Sequence, residues 1–305
     1  MDLEKKLRQT KRILKIGILL LILFAIMWSV FLFVMRLEKP VFLKQYVEQY
    51  GDFLQDGSIC QLNYISNIYD KRNIVFIDFP ECNGLTGYDG DQDRLDESQQ
   101  MDVAYLSDQY VCYQMRYFPM KFSYTGDDDI QNIILTRAII TYDNGETQEI
   151  ELGSIRLLSN ENYENSPYEI KETSSSNTGE TSQSGYLNET IELRNLTSKI
   201  FEDVTEDFFH IKVGEVSLNV LDYKNGFEAL KGVKIGKGTK LIITAKVAKP
   251  TDIQTRFTTF EVCPMLSYQD EMGNLYKEKI NDIRYTPNIK NVVELWMYLK
   301  ARGIK

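Results

Sequence analysis

Polar and apolar residues follow three different rhythms along the chain. From Ile16 to Met35 the sequence reads IGILLLILFAIMWSVFLFVM, with no charged side chain. At 1.5 Å rise per residue, such a run spans about 30 Å as a helix, the thickness of a bilayer's hydrocarbon core, and a helix satisfies its own backbone groups there. A single transmembrane helix over 16–35 is expected. After it, Leu43, Tyr46, Val47, Tyr50 and Leu54 recur at helical spacing behind Pro40, which predicts a membrane-proximal helix over Val41–Gln55.

From Ile59 onward the rhythm shortens to runs rich in Ile, Val, Tyr and Phe, such as Asn73–Phe79 and Tyr110–Tyr124, broken by Asp, Asn and Gly. These predict strands. Two β-rich runs within Asn132–Leu158 flank Asp143-Asn144-Gly145, residues that tolerate the positive φ of a tight turn, and so predict a hairpin. Similar turn signals stand at Lys224-Asn225-Gly226 and Met272-Gly273-Asn274. Lys240–Ala248 alternates Leu241, Ile243, Ala245 and Val247 with Lys240, Thr244 and Lys246, the period of a strand with one wet face. At the end, Thr286 and Pro287 offer a helix start, and Ile289, Val292, Val293, Trp296 and Leu299 follow helical spacing as far as Gly303.

Between Ser159 and Leu187 the Ser/Thr/Glu/Asn-rich stretch has almost nothing apolar to offset the entropy of ordering it. A polar linker is expected there. The resulting fold class is mainly β, with one N-terminal transmembrane helix, an extracytoplasmic β-sandwich region read as two tandem Ig-like domains, and a short C-terminal helix. The expected divisions are a tail over 1–15, a signal anchor over 16–35, a first β-rich domain with its helix over 36–158, a linker over 159–187 and a second β-rich domain over 188–305. One sandwich interrupted by a long loop is the alternative.

Charge orients the chain. Lys5, Lys6, Arg8, Lys11, Arg12 and Lys15 crowd before the apolar run, against Arg36, Lys39 and Lys44 after it, which predicts a cytoplasmic N-terminus and a single-pass type II anchor in the cell membrane. The run is longer than a cleavable signal core and lacks a small-x-small end, so it reads as uncleaved. Residues 1–39 hold eight Lys/Arg against three Asp/Glu, so the net charge of −9 leaves about −14 on the rest. That surface repels phosphate backbones, and nucleic acid is excluded as an expected partner. Ordinary solubility accounts for the acidity equally well.

Cys60, Cys82, Cys112 and Cys263 fall on the side expected to be oxidising, where three pairings or four unbridged thiols are open. A bridge from Cys60 to Cys82 would close a loop of about 22 residues, a gain of roughly 3 kcal/mol in chain entropy. Asp89, Asp91 and Asp93 stand at alternate positions and resemble the start of an EF-hand loop, an arrangement in which carboxylates can converge on Ca²⁺. The fragment departs from that pattern at Arg94, where glycine is expected, and at Gln100, where a bidentate Glu is needed. A solvated acidic loop is the plainer reading, and Asp127-Asp128-Asp129 reads the same way.

His210 is the single histidine, and no Gly-x-Ser-x-Gly elbow accompanies it. Lys231, Lys234, Lys237 and Lys240 lack the Gly-Lys-Ser/Thr order of a phosphate loop and read as strand-edge guards. The expectation is a non-enzymatic surface protein, a binding or structural component of an envelope assembly that meets the lipid bilayer through Ile16–Met35 and a protein partner at the cell surface. The alternative is an extracytoplasmic hydrolase acting on wall or glycan material. A pocket with converging polar groups, set against flat sheet faces, discriminates the two.

Overall fold

A computed structural model describes residues 2–51, 60–90, 109–126, 132–159, 166–176, 179–223, 226–289 and 291–304. The chain is mostly β, with one N-terminal apolar helix and a short C-terminal helix. Helix α1 runs Asp2–Met35, and its apolar part, Ile13–Met35, is not buried within the protein. Arg36 N–H still reaches the Phe33 carbonyl at 3.3 Å, after which the chain turns inward at the buried Leu37.

The first block comprises β1 (Val41–Phe42), β2 (Gln45–Tyr50), β3 (Cys60–Asn67), β4 (Ile74–Asp78), β5 (Leu85–Asp89), β6 (Gln109–Tyr110), β7 (Tyr113–Tyr124), β8 (Ile133–Tyr142) and β9 (Thr147–Leu158). Its hydrogen bonding runs β1-β3-β7-β5-β4-β8-β9-β2, and β6 pairs with β7. Because β1 and β2 are one nearly continuous stretch, the order closes on itself. Val41 lies opposite Ile65 on antiparallel β3, and Gln45 opposite Gly153 on parallel β9. Gly153 permits this closure, since its φ is +100° and a Cβ there would stand 2.5 Å from the Gln45 carbonyl oxygen. The sheet thus wraps a core that includes the fully buried Leu62, Ile77, Met120, Leu135, Ala138, Ile140, Ile155 and Leu157. Burial of each large side chain contributes about 1.5–3 kcal/mol.

The expected helix over Val41–Gln55 is therefore corrected to two strands over 41–50. The same residues carry a second pattern, in which Val41, Leu43, Gln45 and Val47 alternate and are all buried. Val, Phe and Tyr favour pleated backbone, and the open flanks of β3 and β9 supply partners that a lone helix would lack.

The second block comprises β10 (Tyr168–Ser175), β11 (Glu180–Leu187), β12 (Ile191–Thr197), β13 (Phe209–Val213), β14 (Val216–Asn219), β15 (Lys234–Ile235), β16 (Lys240–Val247), the short helix α2 (Ile253–Arg256), β17 (Thr259–Val262), β18 (Met265–Asp270), β19 (Leu275–Lys279), β20 (Ile283–Tyr285) and α3 (Val292–Ala301). One sheet has the order β10-β11-β16-β13-β14 and another β15-β12-β18-β19. Ile211 and Ile243 from the first share a core with Leu193 and Leu266 from the second, as the layers of a sandwich do. On β16 the buried and exposed residues alternate along the whole strand, as its sequence predicts.

Two hairpins follow their sequence signals. In the β8–β9 turn, Tyr142 N–H donates to the Glu146 carbonyl and Gly145 N–H to the Tyr142 carbonyl; in the β18–β19 turn, Asp270 and Asn274, then Gly273 and Asp270, repeat that pair of bonds. Gly145 and Gly273 take φ of +80° and +88°, the left-handed residue that ends a three-residue hairpin loop. The signal at Lys224–Gly226 falls largely outside the described residues. Residues 224–225 lie outside the described set, and short 3-10 turns, Val220–Asp222 and Glu228–Leu230, flank the site.

The polar interval 159–187 is also corrected, since its described part contains the β10–β11 hairpin. Few of its side chains are apolar, but β11 lies in full register on β16, Glu180 opposite Lys246 through Tyr186 opposite Lys240, so β16 supplies the buried face. Helix α3 begins at Val292 instead of Pro287. Asn291 caps it, its side chain accepting from Val293 N–H and Glu294 N–H at 3.0 Å each.

The blocks interlock. Strand β17 lies parallel to β2, with Phe260 opposite Tyr46, and β20 follows on β17. Their rings stack at 5.4 Å. Beneath both blocks a third core joins Leu37, Leu43, Ile65 and Tyr113 to Phe257, Leu295, Tyr298 and Leu299, so the apolar stripe of α3 seals the base of the fold beside α1. Arg302 donates to the Phe42 carbonyl at 2.7 Å.

Candidate functional site

Three places carry chemistry that the fold assembles from distant residues. The first is the seat of α1. Leu32 and Met35, one turn apart on the helix, pack against the third core. The Tyr113 hydroxyl, at the start of β7, donates to the Met35 carbonyl at 2.6 Å, capping a helix end that has no further N–H to offer it. Asn67 closes the next step of chain: its side-chain oxygen accepts from Leu37 N–H at 2.9 Å and its amide donates to the Leu37 carbonyl at 2.7 Å. Helix and sheet meet without a spacer.

The second is Glu48, wholly buried on β2. It accepts from the Ser198 hydroxyl and Lys199 N–H at 2.8 Å each and from Cys263 N–H at 3.2 Å. Burial pushes its carboxyl above the usual range, and these donors pull the other way without cancelling it. The group is fully engaged and faces no cavity, so its work is to join the blocks.

The third is an open cleft of about 620 Å³ between the β10–β11 hairpin and the chain around β20. Ser175, Ser176, Thr181, Asn281, Thr286 and Asn288 line it with hydroxyl and amide groups, and Lys249, Asp282, Arg284 and Tyr285 complete the wall. Arg284 reaches Glu261 at 2.7 Å and Asp282 at 3.4 Å, and Lys279 reaches Asp282 at 3.2 Å. Burial opposes the charge on Arg284, but Glu261 and Asp282 outweigh it and raise its pKa. Burial pushes the Tyr285 hydroxyl up to about 12, so it stays protonated. The cleft can hydrogen-bond a polar surface, and Arg284 and Tyr285 both keep their protons near neutrality.

Cys263 lies under this cluster, its Sγ 3.0 Å from both Asp282 Oδ1 and the Glu48 carbonyl. Burial and Asp282 drive its pKa well above that of a free thiol, the opposite of what a nucleophilic cysteine requires. None of the four cysteines forms a disulfide. The Cys60 thiol, also raised by burial, points to Gln45 Oε1 at 3.8 Å instead of Cys82.

His210 stands on the wet face of β13, half-exposed, with Nδ1 3.9 Å from Asp207, beyond hydrogen-bond length. It borders a shallow recess with several serines, yet among the described residues no serine hydroxyl bonds to it. Asp89 ends β5, half-buried; Asp91, Asp93 and Asp127–Asp129 lie outside the described residues. Among the described residues no three His, Cys, Asp or Glu side chains gather as a metal site. Lys231 ends a 3-10 turn and pairs with Glu228, and Lys240, on β16 between β11 and β13, pairs with Glu172, so neither guards a strand edge as expected. On the outer edge, β10 carries Glu169, Lys171 and Glu172 around an irregular register, devices that discourage strand addition.

Sequence reasoning missed Glu48, Asn67 and Tyr113, because a polar residue within a strand carries no mark of the partner it meets. No family model and no curated protein matches the chain. Among solved structures, the Enterococcus faecalis MSCRAMM ACE, described as binding its ligands by the collagen hug model, is 11% identical over 84% of this chain and 97% of its own, with a TM-score of 0.23. A protein of unknown function from Porphyromonas gingivalis is 8% identical over 81% and 99%, with a TM-score of 0.22. The major pilin subunit of Bacillus cereus is 8% identical over 82% and 70%, with a TM-score of 0.20. Likenesses this distant carry no argument about function.

Proposed function

We propose that this protein is a membrane-anchored, extracytoplasmic binding or assembly component without catalytic activity. The observation that carries the reading is the seat of α1, where Leu32 and Met35 of its last turn pack, half-buried, against a folded core. A signal that is cut away has no use for such contacts, whereas a permanent anchor that must hold its outer domains in one orientation does. The excess of cations before the helix supports a cytoplasmic N-terminus. The two interlocked β-rich blocks then stand outside.

The polar cleft by Arg284 supports recognition of a protein partner, since it offers many hydrogen-bonding groups and no activated nucleophile or acid–base pair. Crosslinking in native membranes, followed by identification of captured proteins, tests the reading. A specific partner lost on Arg284→Ala and Asn281→Ala substitution is the expected result. Full complementation by a chain without residues 40–305 overturns it.

A further inference from the structure

Two exposed loops flank the point where α1 meets the sheet, and both are tipped by residues that water does not favour. Tyr69, between β3 and β4, is 83% exposed. Val111 occupies the two-residue turn between β6 and β7, is 56% exposed, and takes φ of +51°. A β-branched residue at positive φ is a genuine outlier that costs of order 1–3 kcal/mol. Asn or Gly would fit this turn without strain, and Val111 is more than half exposed and belongs to none of the buried clusters, so neither conformation nor the core accounts for it.

The position of the loops does. Ile68 N–H donates to the Cys112 carbonyl at 3.1 Å, tying the two tips together. Tyr113, next after the turn, holds the Met35 carbonyl, and Asn67, next but one before Tyr69, holds Leu37. Leu32, Phe33, Tyr69 and Cys112 line one cleft of about 630 Å³. Leu32 lies about 4.5 Å deeper along the helix than Met35. Tyr69, and Cys112 next to Val111, therefore share a cleft with the last apolar turn. Arg36 and Lys71 stand on the same cleft, where cations meet lipid phosphates, while its carboxylates Asp70 and Glu146 are paired with Arg72, and a tyrosine beside them matches the aromatic belt of membrane interfaces.

We infer that the loops tipped by Tyr69 and Val111 are immersed in the interfacial layer of a lipid bilayer, as a second membrane contact beside α1. The inference rests on the proposed anchor, because the depth of the loops is set by a helix that must itself be in lipid. Immersion removes the apolar area of Val111 from water, which offsets its backbone strain.

The test uses the full chain in vesicles whose lipids are brominated either near the head group or deep in the acyl chains. With Trp296→Phe alone, Trp28 reports the span. With Trp28→Phe and Trp296→Phe, single substitutions Tyr69→Trp, Val111→Trp and Tyr186→Trp report the two tips and the outer hairpin. The expected result is loss of Trp28 emission with deep bromines, loss at positions 69 and 111 with shallow ones, and none at 186. If Trp28 is quenched and the tips are not, the inference falls while the anchor stands. Equal quenching at 186 also overturns it, as that describes a domain lying flat on the membrane. If Trp28 escapes every quencher, anchor and inference fall together. Should the tryptophan-free background fail to fold, the same insertions in the native background give the added quenching by difference.

Discussion

The Glu48 carboxylate and the Ser198 hydroxyl, 150 residues apart in sequence, meet at 2.8 Å and hold β2 against the 3-10 turn Lys199–Asp203 of the second block. Ser198 is itself the cap of that turn, accepting from Ile200 N–H at 3.1 Å, so one hydroxyl serves both the local and the long-range bond. Glu48→Ala leaves Ser198, Lys199 and Cys263 without their acceptor. A loss of roughly 2–4 kcal/mol in urea unfolding is expected, against about 1 kcal/mol for Ser198→Ala.

Closure of the first sheet depends on Gly153, where any Cβ meets the Gln45 carbonyl and a left-handed φ together. Gly153→Ala is expected to cost at least about 2 kcal/mol, seen as a lower melting temperature. Gly145→Ala, at similar φ but with open space around it, is expected to cost about 1 kcal/mol.

Asp70 accepts from Arg72 through Nη2 at 2.7 Å and Nε at 2.9 Å, with its side chain nearly buried. Burial alone would raise its pKa, but the bonds from Arg72 and the charge of Arg116 hold it below the usual carboxylate range. The unfolded chain then takes up this proton first as pH falls. Its contribution is complete above about pH 4 and is lost as pH drops through the depressed value. Asp70→Asn is expected to lower stability by about 1–3 kcal/mol near neutrality and to flatten the acid limb, as urea midpoints across pH would record.

Val111→Asn replaces a strained residue with one that tolerates its φ. In detergent the variant is expected to melt higher than the native protein, by an amount corresponding to about 1 kcal/mol. Val111→Ile, which keeps the β-branch, is expected to show no such gain.

Protease added to intact spheroplasts is expected to digest the chain beyond Lys39 and to spare a tag before Lys5. A protected C-terminal tag contradicts that orientation.

The sequence was readable wherever a single pattern fitted. Leu241, Ile243, Ala245 and Val247 admit only a half-buried strand, and Asp143-Asn144-Gly145 suits only a tight turn. Val41–Tyr50 fitted two periods at once, and the choice between them was made by β3 and β9, which local spacing does not report. Ile289 kept helical spacing with α3, yet its carbonyl accepts from Tyr110 and it lies before the Asn291 cap, in extended chain. Tyr168–Leu187 looked too polar to order because the apolar face it shares belongs to β16. The cleft by Arg284 was invisible for the same reason, since Ser175, Ser176 and Thr181 meet residues 281–288 only through the fold.

Closure by Val41–Tyr50 also sets an order of assembly. This stretch is synthesised early, and β3 follows it soon, but its partner β9 starts at Thr147 and its last neighbour, β17, at Thr259. A nascent chain therefore holds β2 unpaired until β9 has been made, and with one edge still open until β17 follows near the end of the protein. Such distant pairings are the slow ones to form, which makes this early strand one of the last to be locked on both sides and leaves an edge exposed to wrong partners in the meantime.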